Sequence, residues 1–179
     1  SVTVVGSQTV VGSSDNEITD YELKENTKAQ NYKITPEKGT LTVTALEGDD
    51  RLAVTVTAKS LQTTYNGSEQ KVEGYDVSGL LKGHTLSGLS ASANGTDAGE
   101  YASVLTGDVK IVDENNVDVT AQYKVTQVNG KLTINPVEIT VKAADASKPY
   151  DGTALTANDY SIIKGTFVGD EGFASVTVV

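Results

Sequence analysis

Leu52 to Lys59 reads Leu-Ala-Val-Thr-Val-Thr-Ala-Lys, with apolar residues at every even position and mostly polar or small ones between them. A period of two sends alternate side chains to opposite faces of a pleated strand, so the octet predicts a strand with one buried face. Similar alternation runs through residues 1–5 (SVTVV), Leu41 to Ala45, Tyr123 to Gln127, Lys131 to Ile134 and residues 175–179 (SVTVV again). Gly6 to Asn16 reads as a short strand entering a polar turn, and Glu100 to Val112 as one or two strands broken near Gly107-Asp108.

The segments between these runs carry turn chemistry. Asn129-Gly130 predicts a two-residue hairpin between Tyr123–Gln127 and Lys131–Ile134, since the favoured hairpin turns need positive φ. Pro36 to Gly39 predicts a second hairpin, between Tyr32–Ile34 and Leu41–Ala45. Ile18, Tyr21 and Leu23 fall on no helical stripe, so residues 17–30 predict a loop or a single helical turn. Val72, Tyr75, Val77, Leu80 and Leu81 have mixed spacing, which suits a strand leading into one short helix near Tyr75 to Leu81.

The pattern repeats. Tyr32 and Leu41 recur 91 residues later as Tyr123 and Leu132, while Tyr65 and Gly67 recur 85 residues later as Tyr150 and Gly152. The difference falls at a junction, where a change of loop length costs little. Residues 53–136 then form one complete β module. Residues 1–48 hold the C-terminal half of a module and 137–179 the N-terminal half of a further one. The two copies of SVTVV stand 174 residues apart, close to two modules, which predicts a two-module period and an internal stretch of something larger. Each half leaves an open sheet edge, so the halves are expected to complement one another, most easily head to tail between chains. The Asn135-Pro136 junction is expected to be stiff and the Gly48 to Arg51 junction flexible.

Composition narrows the class. Cysteine, methionine and tryptophan are absent, which removes disulfides and thiol chemistry and leaves packing to hold the fold. The net charge of −10 divides as −4 over residues 1–52, −4 over 53–138 and −2 over 139–179. With no basic patch there is no electrostatic basis for nucleic-acid binding. No apolar run approaches the length of a membrane span, and no signal-peptide pattern is present.

Several pieces together resemble the "mostly beta grasp" (MBG) and related YDG-type repeats of bacterial surface proteins. They are Val-Thr-Ala-Lys followed by Tyr65-Asn66-Gly67, Leu81 to Gly88, Asp97 to Tyr101, and Tyr123-Lys124-Val125 with Asn129 to Ile134. Lys148 to Gly152 and Asn31 to Ile34 supply partial second copies. The resemblance covers most of the chain; the stretch near Tyr21 to Gln30 departs from it. It implies small β-rich, grasp-like modules strung in tandem on a cell-wall-anchored or secreted protein of a Gram-positive surface, often an adhesin. It carries over no catalytic residues.

Candidate chemistry is sparse. His84 is the only histidine, so a Ser-His-Asp site would have to use it, and its counterpart after Gly169 is Asp170. Asp113 to Asp118 (DENNVD) gathers oxygen donors as a calcium loop would, yet lacks the EF-hand spacing, and a solvated turn accounts for it. Tyr32, Tyr65, Tyr123 and Tyr150 recur at equivalent places, which suits buried anchors better than a sugar-stacking platform. Asn66-Gly67-Ser68 and Asn94-Gly95-Thr96 match the glycosylation sequon and are also turn tripeptides. No catalytic, cofactor-binding or metal-binding residue is assigned, and no cofactor.

The expectation is a mostly β chain of elongated tandem modules, each β-grasp-like and of α+β type, with immunoglobulin-like β-sandwich repeats as the alternative. The function expected is a non-enzymatic spacer or stalk of an extracellular bacterial adhesin. Its partners would be neighbouring repeats, or a second copy head to tail. The alternative is a repeat that itself binds a host glycan or protein.

Overall fold

The computed structural model describes residues 1–178. Its strands are β1 (Val2–Val5), β2 (Gly12–Tyr21), β3 (Gly39–Val43), β4 (Leu52–Ala58), β5 (Leu61–Thr64), β6 (Gln70–Glu73), β7 (Tyr75–Ser78), β8 (Thr85–Gly95), β9 (Gly99–Val112), β10 (Tyr123–Val128), β11 (Gly130–Asn135), β12 (Thr140–Ala143) and β13 (Tyr160–Lys164). Three single 3₁₀ turns lie at Ala29–Asn31, Gly48–Asp50 and Thr120–Gln122. The chain is mostly β, as the alternation predicts, and the several-sheet arrangement fits the sandwich alternative too. The short helix expected near Tyr75 to Leu81 is instead strand β7, and no α-helix occurs among the described residues.

Among the described residues four sheets form, with strand orders β1-β2-β3, β10-β4-β7, β5-β11-β9-β8-β6 and β12-β13. Neither expected hairpin exists. β10 and β11 flank Asn129-Gly130 in sequence but belong to different sheets. Tyr32 to Ile34 is not a strand, and β3 pairs antiparallel with β2 instead, Ser14 opposite Leu41. Residues 17–21, expected as loop, complete β2; of the strand expected at residues 175–179, residues 175–178 form none and the last position lies outside the described residues. β9 runs unbroken through Gly107, whose φ of 103° lies in the region that favours glycine.

The change of sheet at Asn129-Gly130 has a steric cause. A Cβ on Gly130 would lie 2.3 Å from the Lys59 carbonyl oxygen, so only glycine lets the two backbones come so close. Ser60 Oγ accepts the Lys131 N–H at 3.1 Å, and Asn129 Oδ1 accepts the Leu105 N–H at 3.2 Å. The Lys59 N–H donates to Gly74 O at 3.0 Å. At this corner three chain segments leave one sheet for the other: β4 continues as β5, β6 as β7, and β10 as β11. Such corners are how strands switch between sheets.

The residues group into two compact units. The first holds Ser1–Val54, Gly79–Leu86 and Lys110–Lys124; the second holds Thr55–Ser78, Ser87–Val109 and the chain from Val125 on. In the first, Val54, Ile111 and Tyr123 are buried. In the second, Val72, Ala93, Leu132 and Ile134 form a core against which Tyr65 and Tyr101 pack. Fully burying a side chain such as Leu132 contributes roughly 1.5–3 kcal/mol. Every buried residue among those described lies between Val54 and Ile134.

The sequence repeat recurs in the strand register. β4 and β7 pair antiparallel with Val56 opposite Val77, Thr57 opposite Asp76 and Ala58 opposite Tyr75. Shifted by 85 residues, these are the pairs of β12 with β13: Val141 with Ile162, Lys142 with Ser161 and Ala143 with Tyr160. The bond from Lys59 N–H to Gly74 O likewise returns as Ala144 N–H to Asp159 O, at 2.8 Å. Shifted by 91, the 3₁₀ turn Thr120–Gln122 becomes Ala29–Asn31 and β11 becomes β3. β9, the neighbour of β11, has its counterpart in β2, the neighbour of β3.

Candidate functional site

In the first unit a cleft of about 500 Å³ brings together the two features that the sequence singles out separately, His84 and the Asp113 to Asp118 loop. Val10, Val43, Leu52 and Leu81 give it apolar walls, and Tyr123 completes it. The loop that forms its acidic side is built by Asp113. Its Oδ1 accepts the Asn115 and Val117 N–H groups at 2.9 and 2.8 Å, and its carbonyl accepts the Asn116 N–H at 3.0 Å. Asn116 takes a left-handed φ of 61°, a conformation that Asn tolerates better than most residues.

Asp118 then opens the 3₁₀ turn, its Oδ1 accepting the Thr120 N–H at 2.9 Å. Hydrogen bonds from the Thr120 side chain and backbone hold the Asp118 carboxyl below its ordinary value. The Thr120 hydroxyl in turn accepts the Ile111 N–H at 2.8 Å, tying the turn back to β9. The turn delivers Tyr123, only 3% exposed, with its hydroxyl 2.8 Å from His84 Nδ1 and 3.3 Å from the Leu81 N–H. The two rings meet edge to face at 5.8 Å. When Tyr123 donates to Nδ1 and accepts from Leu81, all three groups are satisfied and the neutral imidazole carries its proton on Nε2.

The chemistry of this arrangement is that of a clasp. Asp113 spends one carboxylate oxygen on backbone N–H groups, and Tyr123 spends its hydroxyl on His84 and Leu81. Among the described residues no group of three or more His, Asp or Glu side chains is placed to hold a metal ion. The equivalents in the other copies differ: His84 corresponds to Asp170, and Asp113 to Asp118 correspond to Glu22 to Thr27.

The second unit has a shallower cleft of about 310 Å³ beside Tyr65, Pro136, Ile139, Phe167 and Glu171. The Tyr65 hydroxyl donates to the Glu171 carboxylate, and that bond, with lesser desolvation, raises the phenol above its usual range. Phe173 packs edge to face on both Phe167 and Tyr160, at 4.9 and 6.1 Å. The Tyr65–Glu171 bond joins residues 106 apart in sequence, and no local pattern announces it.

The four recurrent tyrosines part ways. Tyr123 is buried and Tyr65 packs against the core, as anchors should. Tyr32 and Tyr150, expected to match them, are 63% and 99% exposed. Of the two sequon asparagines only Asn66 acts in a turn, its Oδ1 accepting the Ser68 N–H at 2.9 Å; Asn94 lies in strand β8 opposite Lys71, and its Nδ2 donates to Glu69.

Compared with protein-family models, with curated proteins and with solved structures, the chain matches none. No helix among the described residues is long and apolar enough to cross a membrane.

Proposed function

We propose that this chain is a tandem-repeat spacer of an extracellular bacterial surface protein of MBG type, non-catalytic, holding a distal binding region away from the cell. The observation that carries the reading is the recurrence of one strand register, Val56 opposite Val77 and Val141 opposite Ile162, at the spacing of the sequence repeat. What recurs is scaffold: strand pairs, 3₁₀ turns and positive-φ glycines such as Gly67 and Gly152. What varies is the polar lining of the cleft, with His84 replaced by Asp170. A spacer needs its scaffold repeated, whereas an enzyme needs its polar groups kept in place.

Small-angle scattering on the full chain tests this reading. A rod-like particle, with a maximum dimension well above that of a sphere of equal mass, is expected; a compact particle overturns the stalk.

A second reading, direct binding of a host glycan, draws support from Tyr150 and Tyr32, whose exposed rings are of the kind that sugar faces stack on. A glycan array probed at several valencies separates the two. Binding lost in Tyr150→Ala would favour the second.

A further inference from the structure

Three asparagines are followed directly by glycine: Asn66, Asn94 and Asn129. In such a pair the glycine nitrogen, unhindered by a side chain, can attack the Cγ of the asparagine before it. A bond forms from nitrogen to Cγ, the Cγ–Nδ2 bond breaks, and the proton lost by the glycine nitrogen leaves on ammonia. Water then opens the five-membered imide. Opening at Cγ gives aspartate; opening at the backbone carbonyl gives isoaspartate, with the main chain rerouted through the side chain.

Closing that ring needs Cβ and the glycine nitrogen eclipsed about the Cα–C bond, an arrangement that an extended strand does not offer. Asn94 is held in β8 opposite Lys71, with Gly95 opposite Gln70, and its Nδ2 donates to Glu69. Asn129 Oδ1 is bound to the Leu105 N–H at 3.2 Å, and Gly130 stands in β11 opposite Ser103, close against the Lys59 carbonyl. Either pair must leave its sheet to react. Asn66 lies outside every strand and is exposed, as are Gly67 and Ser68. Its Oδ1 accepts the Ser68 N–H at 2.9 Å, which draws electron density from the Cγ under attack. Among the described residues nothing accepts the Gly67 N–H, so that nitrogen is not tied down.

The product is already written elsewhere in the chain. Shifted by 85 residues, Asn66 becomes Asp151, and Asp151 Oδ1 accepts the Thr153 N–H at 3.0 Å just as Asn66 Oδ1 accepts that of Ser68. The following glycines agree as well, with φ of 75° at Gly67 and 76° at Gly152. The turn keeps its shape with a carboxylate in place of the carboxamide.

We propose that Asn66 is a site of self-modification, converting in the folded chain to aspartate and isoaspartate through the imide, in preference to Asn94 and Asn129. The proposal stands apart from the spacer reading. The aspartate adds one negative charge and leaves the turn as it is at Asp151. The isoaspartate places an extra methylene in the backbone next to Tyr65, whose ring packs against the core and whose N–H donates to Asn135 O at 2.8 Å. That isomer therefore loosens the link between β5 and β6.

The folded full chain, held for weeks at mildly alkaline pH and mapped by peptide mass spectrometry, tests the proposal. Replacement of NH2 by OH marks conversion, and labelling by an isoaspartyl methyltransferase marks the rerouted isomer. Conversion at Asn66 is expected to run at least about tenfold faster than at Asn94 or Asn129, which must wait for their strands to open. In the chain unfolded by urea the three should convert at rates within a few-fold of one another. Asn66→Asp should unfold at the same urea midpoint as the parent chain, and a lowered midpoint would overturn the claim that the turn keeps its shape. Conversion at Asn66 no faster than at Asn94 or Asn129 in the folded chain would overturn the proposal. So would a folded-state rate at Asn66 more than about tenfold below its unfolded rate, since the turn would then protect the residue.

Discussion

Residues 53–136 and the segments flanking them use the same vocabulary of strands and turns, yet only the former bury it. Leu132 is fully buried on β11, between β5 and β9, while Leu41 at the matching place on β3 has only β2 beside it. Tyr123 lies under the His84 ring, while Tyr32 stands 63% exposed. Local sequence is nearly equal in each pair. The difference lies in whether the neighbouring strand is there to receive the side chain, so burial here is a property of the completed sheet.

The largest test compares equivalent core residues. Leu132→Ala should destabilise the chain by about 2–5 kcal/mol in urea unfolding, since a fully buried leucine leaves a cavity. Leu41→Ala should cost under about 1 kcal/mol at low protein concentration. Similar losses at both sites would mean that the N-terminal segment already has a sealed core. Next come the glycines. A Cβ on Gly79, at φ 92°, would lie 2.3 Å from the Ala53 carbonyl oxygen, and one on Gly165, at φ 77°, 2.0 Å from that of Glu138. Gly79→Ala is expected to cost about 1–3 kcal/mol of global stability. Gly165→Ala should speed amide exchange in β12 and β13 and leave the main transition in place.

Smaller again is Tyr123→Phe, which strips the Leu81 N–H and His84 of a shared partner and should cost about 1–2 kcal/mol. Tyr32→Phe should be silent. Ser103 is fully buried with no hydrogen-bond partner for its hydroxyl, so Ser103→Ala should be neutral or stabilising by up to about 1 kcal/mol in the same unfolding assay. A clear loss there would mean that the hydroxyl has an ordered partner.

Much of this was legible in the chain, for identifiable reasons. The period of two in Leu52 to Lys59 foretells both a strand and its buried face, and Val54, Val56 and Ala58 are buried as the alternation requires. The repeat offsets of 85 and 91 foretell which strands correspond. Topology was not legible. Asn129-Gly130 carries the local signature of a tight hairpin, but the close approach of Gly130 to Lys59 sends the chain to another sheet, and that contact spans 71 residues. The site was half legible: His84 and Asp113 to Asp118 stand out by residue type. Their meeting depends on β8 and β9 bringing positions 84 and 113 to one cleft, which no spacing rule shows. The exposed tyrosines were misjudged because equivalence in sequence does not supply the covering strands.

The smallest expected effect is an acid dependence that divides along the same line. Asp118 is held below its ordinary value of 3.8 by Thr120, and Asp151 by Lys148 first and by Thr153. A carboxyl depressed in the folded state favours folding at pH values above its unfolded pKa. That contribution disappears as pH falls through the lower, folded value. Titration followed by carboxyl chemical shifts should place both midpoints below 3.8. Protonating Asp118 frees the start of the 3₁₀ turn that presents Tyr123, so amide exchange at Thr120 and at buried Tyr123 should accelerate together below pH about 4. Protonating Asp151 releases a turn that supports no buried residue, so exchange should rise at Thr153 alone. If Tyr123 protection is indifferent to Asp118 protonation, or falls in step with that of Asp151, the turn is not what holds the buried tyrosine in place.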